Sequence, residues 1–109
     1  MRYPLFSMSK LSPKQKKYLR ALGHSLKSTV QIGHKGLTEA VTAQIDQALT
    51  DHELIKIKVG NNSDVKPKQL AQPIVSSLGC ELVQTIGGVV VLYRQAEKPD
   101  DREIRLPKD

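Results

Sequence analysis

Aromatic residues make up only 4% of this 109-residue chain, with one Phe, three Tyr and no Trp. The interior must therefore be mostly Leu, Ile, Val and Ala, and the scarcity argues against a broad aromatic platform for stacking bases. A single cysteine, Cys80, excludes an internal disulfide and fits a reducing compartment, the cytoplasm. With His24, His34 and His52 as the whole histidine supply, no recognised metal spacing exists. The longest apolar run, Gly87 to Tyr93, falls far short of the ~18 residues a membrane span needs, so a soluble, unsecreted protein without a membrane partner is expected. Acidic residues are missing altogether between Arg2 and Lys35.

What is present suits one small domain. Hydrophobic residues are 39% and charged residues 26% of the chain, a globular balance rather than that of a disordered chain. The formal charge is +6, and it is unevenly spread. Residues 97–109 hold four basic and five acidic groups, leaving 13 basic against six acidic in the first 96. The folded part is the basic part, and its natural partner is a polyanion. The organisation expected is a flexible segment over 1–10, a domain over 11–96 and a charged, solvated tail over 97–109.

Periodicity and punctuation give the elements in order. Ser12, Pro13 and Gln15 form a capping-box start for a helix that Gly23 should stop near Leu22. Tyr18, Leu19 and Leu22 fall on its packing face, with Lys16, Arg20 and His24 opposite. A short strand over 28–32 leaves through Gly33. A second helix, over roughly 39–50, starts from Thr38 with Glu39 at its positive dipole end. Leu54 to Val59 alternates Ile55, Ile57 and Val59 against Lys56 and Lys58, the period of a strand. Leu70, Ile74, Val75 and Leu78 predict a third helix ending at Gly79, with Pro73 bending it or marking its start. Two strands, 81–86 and 89–94, flank the hairpin signal Gly87-Gly88. The order α-β-α-β-α-β-β predicts an α/β two-layer sandwich: a four-stranded mixed sheet with three helices over its apolar face.

Two features carry chemistry. Gly33-His34-Lys35-Gly36 places G-x-x-G between a strand and a helix start, where free amides, the helix dipole and the Lys35 ammonium converge on an anion. The same loop type clamps the nucleic-acid backbone in KH modules. The alternative is a tight strand-to-helix turn that needs glycine twice. Helix one and its exit add Lys14, Lys16, Lys17, Arg20, His24 and Lys27 with no acid in reach to neutralise them, which favours a binding face over a merely solvated one. Lys56 and Lys58 either extend that face or guard a solvent-facing sheet. Asp46, Asp51 and Glu53, around the end of helix two, read as solvated. No nucleophile has a matching base, and no cofactor or small-molecule substrate is implied.

Leu11-Ser12-Pro13-Lys14-Gln15-Lys16-Lys17-Tyr18-Leu19-Arg20 followed by Val30-Gln31-Ile32-Gly33-His34-Lys35-Gly36-Leu37-Thr38 resembles the YhbY family of bacterial RNA-binding proteins. These are the single-domain form of the CRM (chloroplast RNA splicing and ribosome maturation) module. Leu54 to Val59 and Gly87 to Arg94 extend the match, so that it covers about residues 11–94. The resemblance implies a fold like the C-terminal domain of translation initiation factor three. It also implies association with rRNA in precursors of the large ribosomal subunit, and its plant relatives promote group II intron splicing. The family's loop falls on Gly33, His34, Lys35 and Gly36, with His34 at a variable position. The expectation is a non-catalytic, monomeric RNA-binding protein. The competing class is a module that binds an acidic ribosomal or assembly factor.

Overall fold

Helix α1 (Pro13–His24) starts where its capping residues say it should. The Ser12 hydroxyl accepts from the Gln15 amide and the Gln15 side chain accepts from the Ser12 amide, both at 3.1 Å, which satisfies two of the donors a helix start leaves open. Gly23 does not stop the helix as expected. It lies inside the helix and is buried, and a Cβ there would sit 3.4 Å from Val91 Cγ1. Glycine at this point lets the helix approach the sheet closely rather than letting the chain turn.

The computed structural model describes residues 11–61, 63 and 65–108; the segment expected to be flexible, 1–10, lies outside them. After α1 come β1 (Val30–Ile32), α2 (Glu39–His52), β2 (Leu54–Val59), α3 (Pro67–Leu78), β3 (Glu81–Ile86) and β4 (Val89–Tyr93), then a short 3-10 turn over Pro99–Asp101. The expected element order therefore holds. Helix α3 starts at Pro67 and runs through Pro73, which is exposed, so Pro73 neither begins nor ends it. Gly79 closes it in the left-handed conformation at φ 62°, its amide donating to the Val75 carbonyl at 3.0 Å.

The four strands form one mixed sheet in the order β1-β2-β4-β3. β1 is parallel to β2, and β4 runs antiparallel between β2 and β3. Strands β1, β2 and β3 all point one way, and the crossovers between them step in one direction across the sheet. Crossovers of one hand then place α2 and α3 on the same face. Their core is Val30, Ile32, Ile55, Ile57, Val90 and Leu92 from the sheet against Ile45, Leu49, Leu70, Ile74 and Leu78 from the helices.

The layering goes beyond the expected sandwich. Sheet, α2 and α3 form the two layers, but α1 lies on the opposite face, where Leu19 meets Leu54, Val83, Val91 and Tyr93. The cause is β4, Val-Val-Val-Leu-Tyr, which is apolar on both faces and requires cover on both.

The hairpin needs its two glycines for different reasons. Gly87 takes φ +55°, whereas a Cβ on Gly88 would lie 2.9 Å from the Val59 carbonyl oxygen. The Val59 amide donates to the Gly88 carbonyl at 2.7 Å, which fastens the hairpin tip to the end of β2.

Residues 97–108 are exposed at every charged position, as expected, but the segment is docked on the domain rather than free of it. Ile104 and Leu106 pack against the α1-side cluster, and the Gln15 side chain donates to the Pro107 carbonyl at 3.0 Å. Glu53 organises this return. It is 2% exposed at φ 64°, and its carboxylate accepts from the amides of Ala96, Glu103 and Ile104 at 2.8, 2.8 and 3.0 Å. Asp46 is likewise engaged: the Arg94 guanidinium donates to its carboxylate at 2.7 Å and to the carbonyls of Asp46 and Leu78 at 3.0 Å.

Two buried acids predict the alkaline response. Burial pushes the Cys80 thiol from 9.0 up to about 12. Burial, and then the Glu53 carboxylate, push the Tyr93 hydroxyl from 10.0 up to about 12, against an opposing pull from Arg102. Both groups hold their protons more tightly folded than unfolded, so their stabilisation is complete below the unfolded values and is lost as pH rises through the folded ones. The urea midpoint should stay level up to about pH 9 and fall from there toward pH 12. In Cys80→Ala the fall should begin only near pH 10, where the unfolded tyrosine titrates.

Candidate nucleic-acid interface

The turn after β1 is built from two glycines with different duties. The Gly36 amide donates to the Gly33 carbonyl at 3.0 Å, closing a four-residue turn. The Gly60 amide donates to the Ile32 carbonyl at 2.8 Å, which fixes the turn's entry to the end of β2. Gly36 is buried at φ +69°, a conformation that favours glycine. Gly33 is exposed, its φ is not in the left-handed region, and a Cβ there would meet nothing within 4 Å. The fold thus needs one glycine of the pair, not both. His34 and Lys35, between them, are exposed.

The start of α2 is a weaker anion site than its sequence suggests. Thr38 Oγ1 already accepts from the Val41 amide at 3.1 Å, and Glu39 places an acid in the first turn. Any phosphate held here is held chiefly by the turn itself.

Helix α1 presents Lys14, Lys17, Tyr18, Ala21 and His24 to solvent, with Lys16 and Arg20 half-buried along one flank. Tyr18 was expected on the packing face with Leu19 and Leu22; it is 40% exposed, whereas Leu19 is fully buried. Its position, one residue from the centre of the apolar stripe, leaves the ring at the stripe's edge. Among the described residues no ion pair engages the α1 cations. Lys27, in the link to β1, is also exposed.

Lys56 and Lys58 share the α1 side of β2 but not one role. The Lys56 ammonium, half-buried, donates to the Leu26 carbonyl at 3.2 Å and pins the α1–β1 link to the sheet. Lys58 is exposed. Helix α1 packs over β2, β3 and β4 and leaves the β1 edge of that face open. Gln31, paired with Lys58 in register, is therefore exposed beside it.

Strand direction sorts the charge. The C-terminal ends of β1 and β2, the starts of α2 and α3, and the hairpin tip share one end of the sheet. That end carries Lys35 and Lys58 together with Lys66 and Lys68, both exposed, against Glu39 as its exposed acid among the described residues. Sequence reading missed Lys66 and Lys68. The available signal was a helix start with no acid in its first turn, contrary to what the dipole favours. The opposite end holds Asp51, Glu53, Glu81, Glu97, Asp100, Asp101 and Glu103, which outnumber Arg94, Lys98 and Arg102 beside them. No group of three metal-ligating side chains occurs among the described residues. An open cavity of about 370 Å³ beside α2 is lined by Glu39 and Asp46 among others, the wrong sign for a phosphorylated ligand.

Fold and surface together define a small α/β domain with a basic, glycine-turned edge and a docked acidic end. The chain matches the model of the CRS1 / YhbY (CRM) domain over residues 11–94. It is 46% identical over 102 residues to the Haemophilus influenzae protein named "RNA-binding protein", covering 93% of this chain and 99% of that one. It is 36% identical over 97 residues to the Bacillus subtilis protein named "Probable RNA-binding protein YqeI", covering 89% of this chain and 99% of the relative. The solution structure of SAV1595 from Staphylococcus aureus superposes with a TM-score of 0.74 at 41% identity, covering 89% of this chain and 99% of that one. The chain belongs to the CRS1/YhbY (CRM) domain family.

Proposed function

We propose that this protein binds structured RNA without catalysing a reaction, and that its target is rRNA in a precursor of the large ribosomal subunit. The observation that carries the reading is Gly33: an exposed glycine that neither backbone nor packing requires, in a turn with Lys35 at the sheet end that also carries Lys58, Lys66 and Lys68, none of them in an ion pair among the described residues. Such a position lets a sugar-phosphate backbone come close where a side chain would hold it off. The relatives named as RNA-binding proteins support the partner, and the family resemblance supports the ribosomal target.

The turn amides and Lys35 hold one stretch of backbone, and Lys58, Lys27, Arg20, Lys17 and Lys14 extend the footprint along the α1 side. Lys16 flanks it, and Lys56 adds charge from beneath the α1–β1 link. Phosphate contacts of this kind position the RNA without specifying its sequence. The protein works as a monomer in the cytoplasm.

Salt dependence tests this. With about five cations on phosphates, log affinity against log salt should fall with a slope of roughly −3.5 to −4.5. A flat response contradicts the reading. In lysates, comigration with ribosome-sized particles should vanish after nuclease treatment; survival would place an acidic protein, rather than RNA, on the basic face.

A further inference from the structure

The α1 side of the sheet carries a row that α1 leaves open. Register pairs Gln31 with Lys58, Lys58 with Val89, and Val89 with Ile86, so these four side chains cross the sheet from edge to edge on one face. Val89 belongs to the α1-side cluster, which fixes that face. Gln31 and Lys58 are exposed, Val89 is half-buried, and Ile86 is 56% exposed, more than any other large apolar side chain among the described residues. The row lies at the same end of the strands as the 33–36 turn, since Gln31 is two residues from Gly33.

We propose that this row receives the unpaired bases of an RNA strand whose backbone is held in the 33–36 turn, so that the protein selects single-stranded segments over duplex. The proposal rests on the RNA-binding reading above and names the class of RNA. The apolar end of the row, Val89 and Ile86, offers a surface for the face of a base. Gln31 offers both a donor and an acceptor to a base edge, and Lys58 supplies the charge that draws a polyanion rather than an apolar partner. A duplex keeps its base faces stacked inside and has no use for such a surface. The hairpin tip is fastened to β2 through the Val59–Gly88 hydrogen bond of 2.7 Å, so the row is held in place before anything binds.

The test compares an unstructured single-stranded RNA with a perfect duplex of the same sequence, bound by the full chain and by Ile86→Ala, Gln31→Ala and Lys58→Ala. Ile86→Ala removes an exposed side chain and should leave thermal unfolding in place. It should weaken single-strand binding ~3- to 10-fold while leaving duplex binding and the salt slope unchanged. Gln31→Ala should also weaken the single strand selectively, and Lys58→Ala should reduce the salt slope by ~0.7 for the single strand. If Ile86→Ala has no effect, or weakens duplex equally, the base row is wrong and the RNA-binding reading stands. If the unaltered protein binds neither RNA, the base row falls, and the salt slope on structured rRNA decides the RNA-binding reading separately. If Ile86→Ala instead converts a dimer to a monomer in sedimentation, a second copy of the chain occupies the row and the proposal is overturned.

Discussion

Gly33→Asp should abolish most RNA binding while leaving the fold intact. The substitution adds a side chain where nothing lies within 4 Å and where φ is not left-handed, so it costs the protein little. It also puts a carboxylate where the phosphate backbone comes closest. A loss of at least about tenfold in affinity, equivalent to ~1.4 kcal/mol, is expected at low salt, with the melting temperature within a degree or two of the parent. Gly36→Asp separates the two glycines. At φ +69° and buried, residue 36 is needed by the turn, and its replacement should lower stability as well as binding. Isothermal titration beside thermal unfolding reads both effects. If Gly33→Asp binds RNA like the parent, the turn is only a turn.

Glu53→Ala should be the most damaging change of a charged side chain away from the binding surface. It removes one carboxylate that accepts three backbone amides, at Ala96, Glu103 and Ile104, and so frees the C-terminal segment from the sheet. Hydrogen bonds to a charged group are stronger than neutral ones, and the loss should cost about 2–4 kcal/mol, or a fall of ~10–20 °C in melting temperature. Relief of backbone strain does not offset this, because alanine is no easier than glutamate at φ 64°. Glu53→Gln keeps one acceptor oxygen and should lie between alanine and the parent. Urea denaturation monitored by circular dichroism gives the ordering. Equal midpoints for all three would mean that the segment over 97–108 is held by something else.

What was legible in the sequence is what is decided locally. Ser12 and Gln15 announce α1 because the capping box closes over three residues, and Gly87-Gly88 announces the hairpin because the turn is two residues long. Lys56 and Lys58 alternate with apolar neighbours, so their shared face follows from strand period alone. Apart from Tyr18 and Pro73, whose placement is local to their helices, the misreadings involve distant partners. Gly23 resembles a helix stop until Val91 is known to lie against it. Glu53 reads as a solvated acid until the chain returns 43 to 51 residues later to donate to it. The charged tail hides Ile104 and Leu106, two apolar residues too sparse to show a period.

In the binding surface, the turn and the basic helix were visible as a motif and a charge run. Besides Lys66 and Lys68, three features were not. The separate duties of Gly33 and Gly36 depend on φ and on neighbouring space. Lys56 is distinguished from Lys58 by one carbonyl in another segment. The Gln31–Lys58–Val89–Ile86 row exists only once strand order and register are known.

The most direct measurement is a nitrogen-15 chemical-shift titration of the full chain with single-stranded RNA. The largest amide shifts should fall on residues 33–36, on Gln31 and Lys58, on the exposed side of α1 from Lys14 to His24, and on the hairpin at 86–89. Shifts concentrated instead on the α2–α3 side, or on residues 96–104 at the acidic end, would contradict the proposed surface.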